Sequence, residues 1–151
     1  MNNTSAITSA QIALVKETWA RVVPISEMAA KLFYDRLFET SPQLAPMFDG
    51  VDLEAQQQKL VKAIHMVVMS LERIETLIPT IQEMGRRHVD YGVEDSHYGQ
   101  VGAALLWTLE NGLGDDWSKD AETAWTNAYQ LLADTMVEAA AQESSSAATS
   151  V

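Results

Sequence analysis

The sequence contains no cysteine and no long run of apolar residues. The first absence excludes disulfide bonds, thiolate catalysis and cysteine metal sites. The second excludes a membrane-spanning helix, which needs about 18 consecutive apolar residues. The opening residues Met1–Ser5 carry neither basic charge nor an apolar stretch, so they are not expected to act as a secretory signal. Together these features predict a cytoplasmic protein without a membrane partner.

Basic residues are also scarce. The chain has 10 Lys and Arg against 21 Asp and Glu, which gives a formal net charge of −11. Because nucleic-acid binding depends on clustered Lys and Arg, a nucleic-acid partner is not expected. A solvated acidic surface explains the charge, and docking of a basic protein partner is the alternative.

The sequence does contain apolar residues at helical spacing along most of its length. Apolar residues recur at helical spacing in every long segment, and no alternating strand pattern occurs. Thr8 to Gln11 has the form of a capping box, and Ser26 and Ser118 are candidate caps of later helices. Further helices are predicted over about 53–71, 74–89 and 95–113, the second with an irregular start because it contains Pro79.

A chain of 151 residues fits one domain with a substantial core. The fold class predicted from the pattern is therefore all-α. The domain is expected to occupy residues 1–142. The remaining residues, 143–151, are rich in Ser and Ala and are predicted to be a disordered tail.

One histidine has a distinctive setting. His88 lies in the stretch Gly85-Arg86-Arg87-His88-Val89-Asp90-Tyr91-Gly92-Val93, at the end of a predicted helix and just before a glycine turn. A histidine at that position also complements the helix dipole, so position alone leaves its role open. Downstream, Ser96-His97-Tyr98 opens the next predicted helix.

With Phe33-Tyr34, Phe48 and Gln56-Gln57-Gln58-Lys59-Leu60, this stretch resembles the haem-binding segments of the globin family. The resemblance runs from about Thr8 to Ala139. It is strongest to bacterial single-domain haemoglobins and to the globin domain of flavohaemoglobins. It implies a globin fold, in which helices pack at about 50° around the haem pocket, with haem b (iron protoporphyrin IX) as the cofactor.

On the proximal side, the resemblance makes His88 the iron ligand, bound as a neutral imidazole. Its other nitrogen is expected to donate to a main-chain carbonyl one turn earlier, near Met84. Tyr98 is implied to lie beside it, with ordinary core packing as the alternative. His65 is rotated away from the face that carries Gln56 and is expected at or near the surface.

On the distal side, Gln56 and Leu60 share one helix face because they are four residues apart. The resemblance places the Gln56 amide and Leu60 over the gas ligand, and Gln57 and Gln58 remain alternatives for the amide. It also makes Tyr34 the distal tyrosine. Phe48 is implied to pack against the haem plane.

Two cations lie near these segments. The resemblance implies that Lys59 and Arg87 reach the haem propionates, and a solvated surface position is the alternative for each.

The implied function is tight, reversible binding of O₂ and of other diatomic ligands such as CO and NO, with Tyr34 and Gln56 donating hydrogen bonds. Nitric-oxide detoxification is implied only with electrons from a separate reductase, since no dinucleotide-binding fingerprint occurs, and enzymatic activity is left open. One departure matters: the glutamate of the flavohaemoglobin proximal relay falls on Ala140 here, and Glu138 lies about 200° away on a helix.

Two other functions remain open. One is a haem-based gas or redox sensor in which a distal side chain ligates the iron when no gas is present. The other is a haem-free interaction module with a globin fold.

Overall fold

The computed structural model describes residues 7–90 and 95–149, with no strand among them, so the predicted all-α class is confirmed. The described part contains six α-helices: α1 (Ser9–Val22), α2 (Ser26–Thr40), α3 (Leu53–Met69), α4 (Ile78–Asp90), α5 (Asp95–Leu113) and α6 (Lys119–Thr149). Short 3₁₀ helices lie between them, over Val23–Ile25, Pro42–Phe48, Leu71–Thr76 and Gly114–Asp116.

Helix starts follow the capping signals in two of three cases. The Thr8 N–H donates to Gln11 Oε1 and the Gln11 N–H donates to Thr8 Oγ1, both at 3.1 Å, which confirms the capping box. Ser118 Oγ accepts from the Ala121 N–H at 3.0 Å. The prediction for Ser26 was wrong: it is the first residue of α2 and makes no capping bond, because the chain enters α2 directly from the 3₁₀ turn over Val23–Ile25.

The segment between α3 and α4 is broken more sharply than the apolar pattern predicted. The α3 helix ends at Met69, and the backbone of Arg73 is non-helical at φ −132° and ψ 45°. Pro79 is the second residue of α4, where a missing backbone N–H costs no hydrogen bond. The turn predicted at Gly92 lies outside the described residues.

The last helix is long. The α6 backbone is helical from Lys119 to Thr149, a stretch without Gly or Pro to interrupt it. The stretch is rich in alanine, which has the highest intrinsic helix propensity. The proposed boundary between residues 142 and 143 stays a prediction.

The core consists of two apolar clusters. The larger joins α1, α2, α3, α5 and α6, and its buried members include Val15, Trp19, Val68, Leu109 and Trp125. The smaller joins α2 and α5 with the 3₁₀ helix that precedes α3. Fully burying a side chain such as Leu109 contributes roughly 1.5–3 kcal/mol to folding, so packing decides the arrangement of the helices.

A buried hydrogen bond also joins the first and last helices. The Trp125 Nε1–H donates to Thr18 Oγ1 at 2.8 Å, and Thr18 in turn donates to the carbonyl of Leu14 at 2.8 Å. Both polar groups are therefore satisfied inside the larger cluster. Within the described ranges, no helix combines the length and the apolar character that crossing a bilayer requires.

Candidate functional site

His88 lies in the last turn of α4 and is half-buried. Its Nδ1 atom is 2.6 Å from the carbonyl oxygen of Met84, which confirms the expected hydrogen bond. A carbonyl oxygen can only accept, so Nδ1 carries the hydrogen of the neutral ring and Nε2 carries the lone pair. This is the tautomer that a histidine needs in order to bind a metal through Nε2.

Tyr98 lies next to this histidine, although it belongs to a different helix. The ring centroids of His88 and Tyr98 are 6.3 Å apart, and the two planes are inclined by 30°. The structure therefore brings together the two residues that the sequence assigned to the proximal side.

The position of α4 depends on Gly85, which directly follows Met84. A Cβ atom at Gly85 would lie only 2.7 Å from the Cα atom of Met136 in α6. Any side chain there would push α4 away from α6. The absence of a side chain at Gly85 thus sets how closely α4, the helix that carries His88, approaches α6.

Among the residues predicted for the distal side, Tyr34 is the centre of an aromatic group. It is 4% exposed. Its ring centroid lies 4.9 Å from that of Phe33, 6.0 Å from that of Phe38 and 5.6 Å from that of Phe48. The contacts with Phe33 and Phe48 are edge-to-face, a geometry that stabilises aromatic pairs by about 1 kcal/mol.

The Gln56 side chain of α3 is close enough to Tyr34 to affect the pKa of its phenol. Burial raises the pKa of the Tyr34 phenol above its ordinary value, and the hydrogen bond with the Gln56 side chain lowers it by less. The phenol therefore remains a neutral donor at physiological pH. Of the neighbouring glutamines, Gln57 is half-buried and Gln58 is exposed.

Leu60 lies one turn beyond Gln56 and packs against the smaller core cluster together with Phe48. It also borders an apolar cavity between α1, α2, α3 and α5, lined by Trp19, Val22, Ser26, Ala29, Ala30, Val61, Ile64, Leu105, Thr108 and Leu109. Tyr34, Phe48, Gln56 and Leu60 thus lie together, as the sequence predicted. Their roles toward a ligand stay predictions.

The two cations assigned to the haem propionates lie at the surface. Arg87 is exposed, and its Nε atom is 3.6 Å from Glu83 Oε2 within α4. Lys59 is exposed on α3 and forms no ion pair with another described residue. A propionate contact stays a prediction for both.

The other histidines occupy different surroundings. His65 is exposed, as expected, and its Nδ1 atom accepts a hydrogen bond from the Trp19 indole at 3.0 Å. His97 is half-buried near the start of α5.

Sequence reasoning missed one residue near the proximal pair. The Tyr129 hydroxyl of α6 donates to the carbonyl oxygen of Tyr98 at 2.7 Å. The sequence did indicate that Tyr129 faces the core, since it lies one turn after the buried Trp125 and therefore on the same helix face. Its partner could not be read from the sequence, because it lies 31 residues away.

These side chains fit a haem. The porphyrin supplies four ligands to its iron, so one imidazole that binds through Nε2 suffices, and the Nδ1 bond of His88 to Met84 matches the tautomer that this requires. Apolar rings and one neutral phenol–amide pair suit a gas ligand better than a charged substrate.

Comparison with known proteins defines the class. The Globin family profile matches residues 31–136, and the chain belongs to the globin family, whose members bind haem and diatomic gases. The predicted family is thereby confirmed.

The similar proteins within this family are bacterial flavohemoproteins and a bacterial globin. A flavohemoprotein of Bacillus subtilis is 28% identical over 128 residues, covering 83% of this chain and 32% of the relative. One of Chromobacterium violaceum is 34% identical over 107 residues, covering 70% and 26%. The chain thus spans about a third of the length of these relatives, or less. A solved bacterial globin from Campylobacter jejuni superposes with a TM-score of 0.79 at 26% identity, covering 91% of this chain and 99% of that one.

Proposed function

We propose that this globin binds O₂ reversibly and with high affinity, at a haem b held by His88, and that it acts in the cytoplasm. Haem b, when bound, supplies the iron to which O₂, CO or NO attaches. The orientation of His88 carries the proposal, because its bond to the Met84 carbonyl holds the imidazole in the tautomer that binds a metal through Nε2. In the family's arrangement the buried Tyr34 phenol and the Gln56 amide would then be two hydrogen-bond donors to the gas.

The proximal residues hold the His88 ring, whose Nε2 atom would bind the iron, in one orientation. The bond to Met84 fixes the His88 ring plane and keeps the lone pair on Nε2. Donation to a carbonyl also raises the basicity of the imidazole. Tyr98 supports the ring from α5.

The distal residues distinguish between gases. O₂ gains negative charge when it binds, and CO gains much less, so hydrogen-bond donors favour O₂. Each such bond contributes roughly 1 kcal/mol or more in a pocket shielded from water. Since 1.4 kcal/mol corresponds to a factor of about ten, two bonds slow O₂ release by about tenfold to several hundredfold.

Such slow release suits a scavenger better than a bulk carrier. We propose that the protein supports nitric-oxide detoxification when a separate reductase supplies electrons. The flavohemoprotein relatives support this. This chain matches about a third of the length of one of them, and a separate protein would have to supply what the remaining two thirds do there. The resemblance aligns the relay's glutamate with Ala140, so we infer an incomplete relay and expect a modest rate.

Absorption spectra test the proposal. The purified protein is recorded as isolated, after reduction, and after addition of O₂ or CO, with His88→Gly as the comparison. We expect a five-coordinate reduced spectrum in the wild type that converts fully to the O₂ and CO forms. A low-spin reduced spectrum without added gas would favour a sensor with a distal side chain on the iron. A colourless protein that takes up no haemin would favour an interaction module.

A further inference from the structure

Tyr129 in α6 is bonded to the helix that carries Tyr98. Its hydroxyl donates to the Tyr98 carbonyl oxygen at 2.7 Å. Tyr98 is the fourth residue of α5. A carbonyl oxygen has two lone pairs, so it can accept this bond in addition to the backbone bond of a helix. Tyr129 therefore ties the first turn of α5 to α6.

The ring of Tyr129 lies directly on the α5 backbone because Gly102 leaves room for it. A Cβ atom at Gly102 would be 2.8 Å from Cε2 of Tyr129. Gly102 is four residues after Tyr98 and thus on the same face of α5. The ring and the hydroxyl of Tyr129 consequently contact two successive turns of one helix face.

The same face of α6 also sets the position of α4. Met136 is seven residues after Tyr129, which is almost two full turns and roughly 10 Å along the helix. Its backbone lies against Gly85, next to the Met84 carbonyl that orients His88. One face of α6 therefore holds both the helix of His88 and the helix of Tyr98.

We propose that Tyr129 is a positioning residue for the proximal side: its bond to the Tyr98 carbonyl sets how the Tyr98 ring lies against His88. The inference rests on the proposed function in one respect, that His88 ligates the iron. Tyr129 acts through Tyr98. Loss of its hydroxyl lets the start of α5 move relative to α4, which loosens the stacked pair of rings.

Burial keeps the Tyr129 hydroxyl available as a donor. Burial is the main reason that the pKa of Tyr129 is raised above its ordinary value, and the neighbouring Tyr98 raises it further. The hydroxyl is therefore neutral over the whole physiological pH range and can donate throughout it.

The test is Tyr129→Phe, which removes the hydroxyl and keeps the ring. The control is Thr135→Val, which removes an α6 hydroxyl that bonds only within its own helix, to the carbonyl of Leu131 at 2.8 Å. Two properties of the haem-loaded proteins are measured: the iron–histidine stretching band in the reduced, gas-free state by resonance Raman spectroscopy, and the rate of haemin transfer to an apomyoglobin acceptor.

We expect Tyr129→Phe to shift or broaden the iron–histidine band and to speed haemin loss by roughly threefold to tenfold, as expected for one partly buried hydrogen bond. Thr135→Val should change neither. A normal band and a normal rate of haemin loss in Tyr129→Phe would overturn the proposal while leaving the haem assignment intact. Gly102→Ala, which displaces the Tyr129 ring, should act in the same direction and replaces Tyr129→Phe if that variant does not fold.

A further measurement separates this inference from the proposed function. Amide hydrogen exchange in the second turn of α5, whose N–H groups bond back to the carbonyls of the first turn, is compared between the haem-free wild type and haem-free Tyr129→Phe. Faster exchange in the variant supports the tie between α5 and α6 even if the wild type binds no haem. Unchanged exchange overturns the proposal whatever the haem content.

Discussion

The Nδ1 atom of His88 donates to the carbonyl oxygen of Met84 one turn earlier, at 2.6 Å. Because this bond fixes the tautomer, Nε2 is the ring nitrogen that would bind a metal. We expect His88→Gly to abolish stable haem retention, and added imidazole to restore a haem spectrum in part. His65→Gly, at an exposed histidine, is the control and should retain haem. A wild-type absorption spectrum in His88→Ala would show that another residue binds the iron.

Removing the Tyr34 hydroxyl should affect O₂ far more than CO. Tyr34→Phe keeps the ring and its contacts with Phe33 and Phe48, so packing should change little. We expect O₂ dissociation to become about tenfold faster, which corresponds to about 1.4 kcal/mol. Stopped-flow ligand replacement measures both dissociation rates. Equal effects on the two gases would mean that Tyr34 acts by controlling access.

The amide of Gln56 should act in the same direction as the phenol. We expect Gln56→Leu to speed O₂ dissociation as well. If the two side chains bond each other, the double variant with Tyr34→Phe should be non-additive. The same stopped-flow measurement on the single and double variants gives the coupling. Strictly additive effects would indicate that each side chain contacts the ligand independently.

Gly85→Ala should destabilise the fold, because its new methyl group would meet the Met136 backbone in α6. Overpacking of this kind costs about 1–3 kcal/mol of unfolding free energy, which chemical denaturation measures. Gly99→Ala is the matched control: Gly99 is exposed on α5, and a Cβ there meets nothing within 4 Å. That variant should be stabilised by about 0.5–1 kcal/mol, since alanine favours the helix. Equal stabilities would show that α4 moves away at no cost.

Reduction by a separate protein should depend on salt. The net charge of −11 favours a basic partner, and screening limits charge attraction to about 8 Å at physiological ionic strength. We expect the association rate with a basic reductase to fall as salt rises, and turnover of NO to require that donor. Stopped-flow mixing over a salt series measures the rate. Sustained NO consumption without any reductant, or a salt-independent rate, would contradict this.

Local features of this protein followed from the sequence because they depend on residues close together in the chain. The capping box at Thr8 spans three residues and the bond between His88 and Met84 spans four. The bounds of α5 agree with the predicted 95–113, since its apolar period and the glycines at its end are local signals. The break at Arg73 was less visible, because an apolar pattern continues through a short 3₁₀ segment.

The contacts that connect the helices were decided only by the tertiary structure. Tyr129 bonds to Tyr98 across 31 residues and Trp19 bonds to His65 across 46. Periodicity indicates which face of a helix is buried, but not which helix covers it or at what height along the axis. Those choices depend on whether side chains fit, as at Gly85, where the lack of a side chain lets two backbones touch. The helices and their caps were thus determined locally, whereas the surroundings of His88 depend on how α6 packs against α4 and α5.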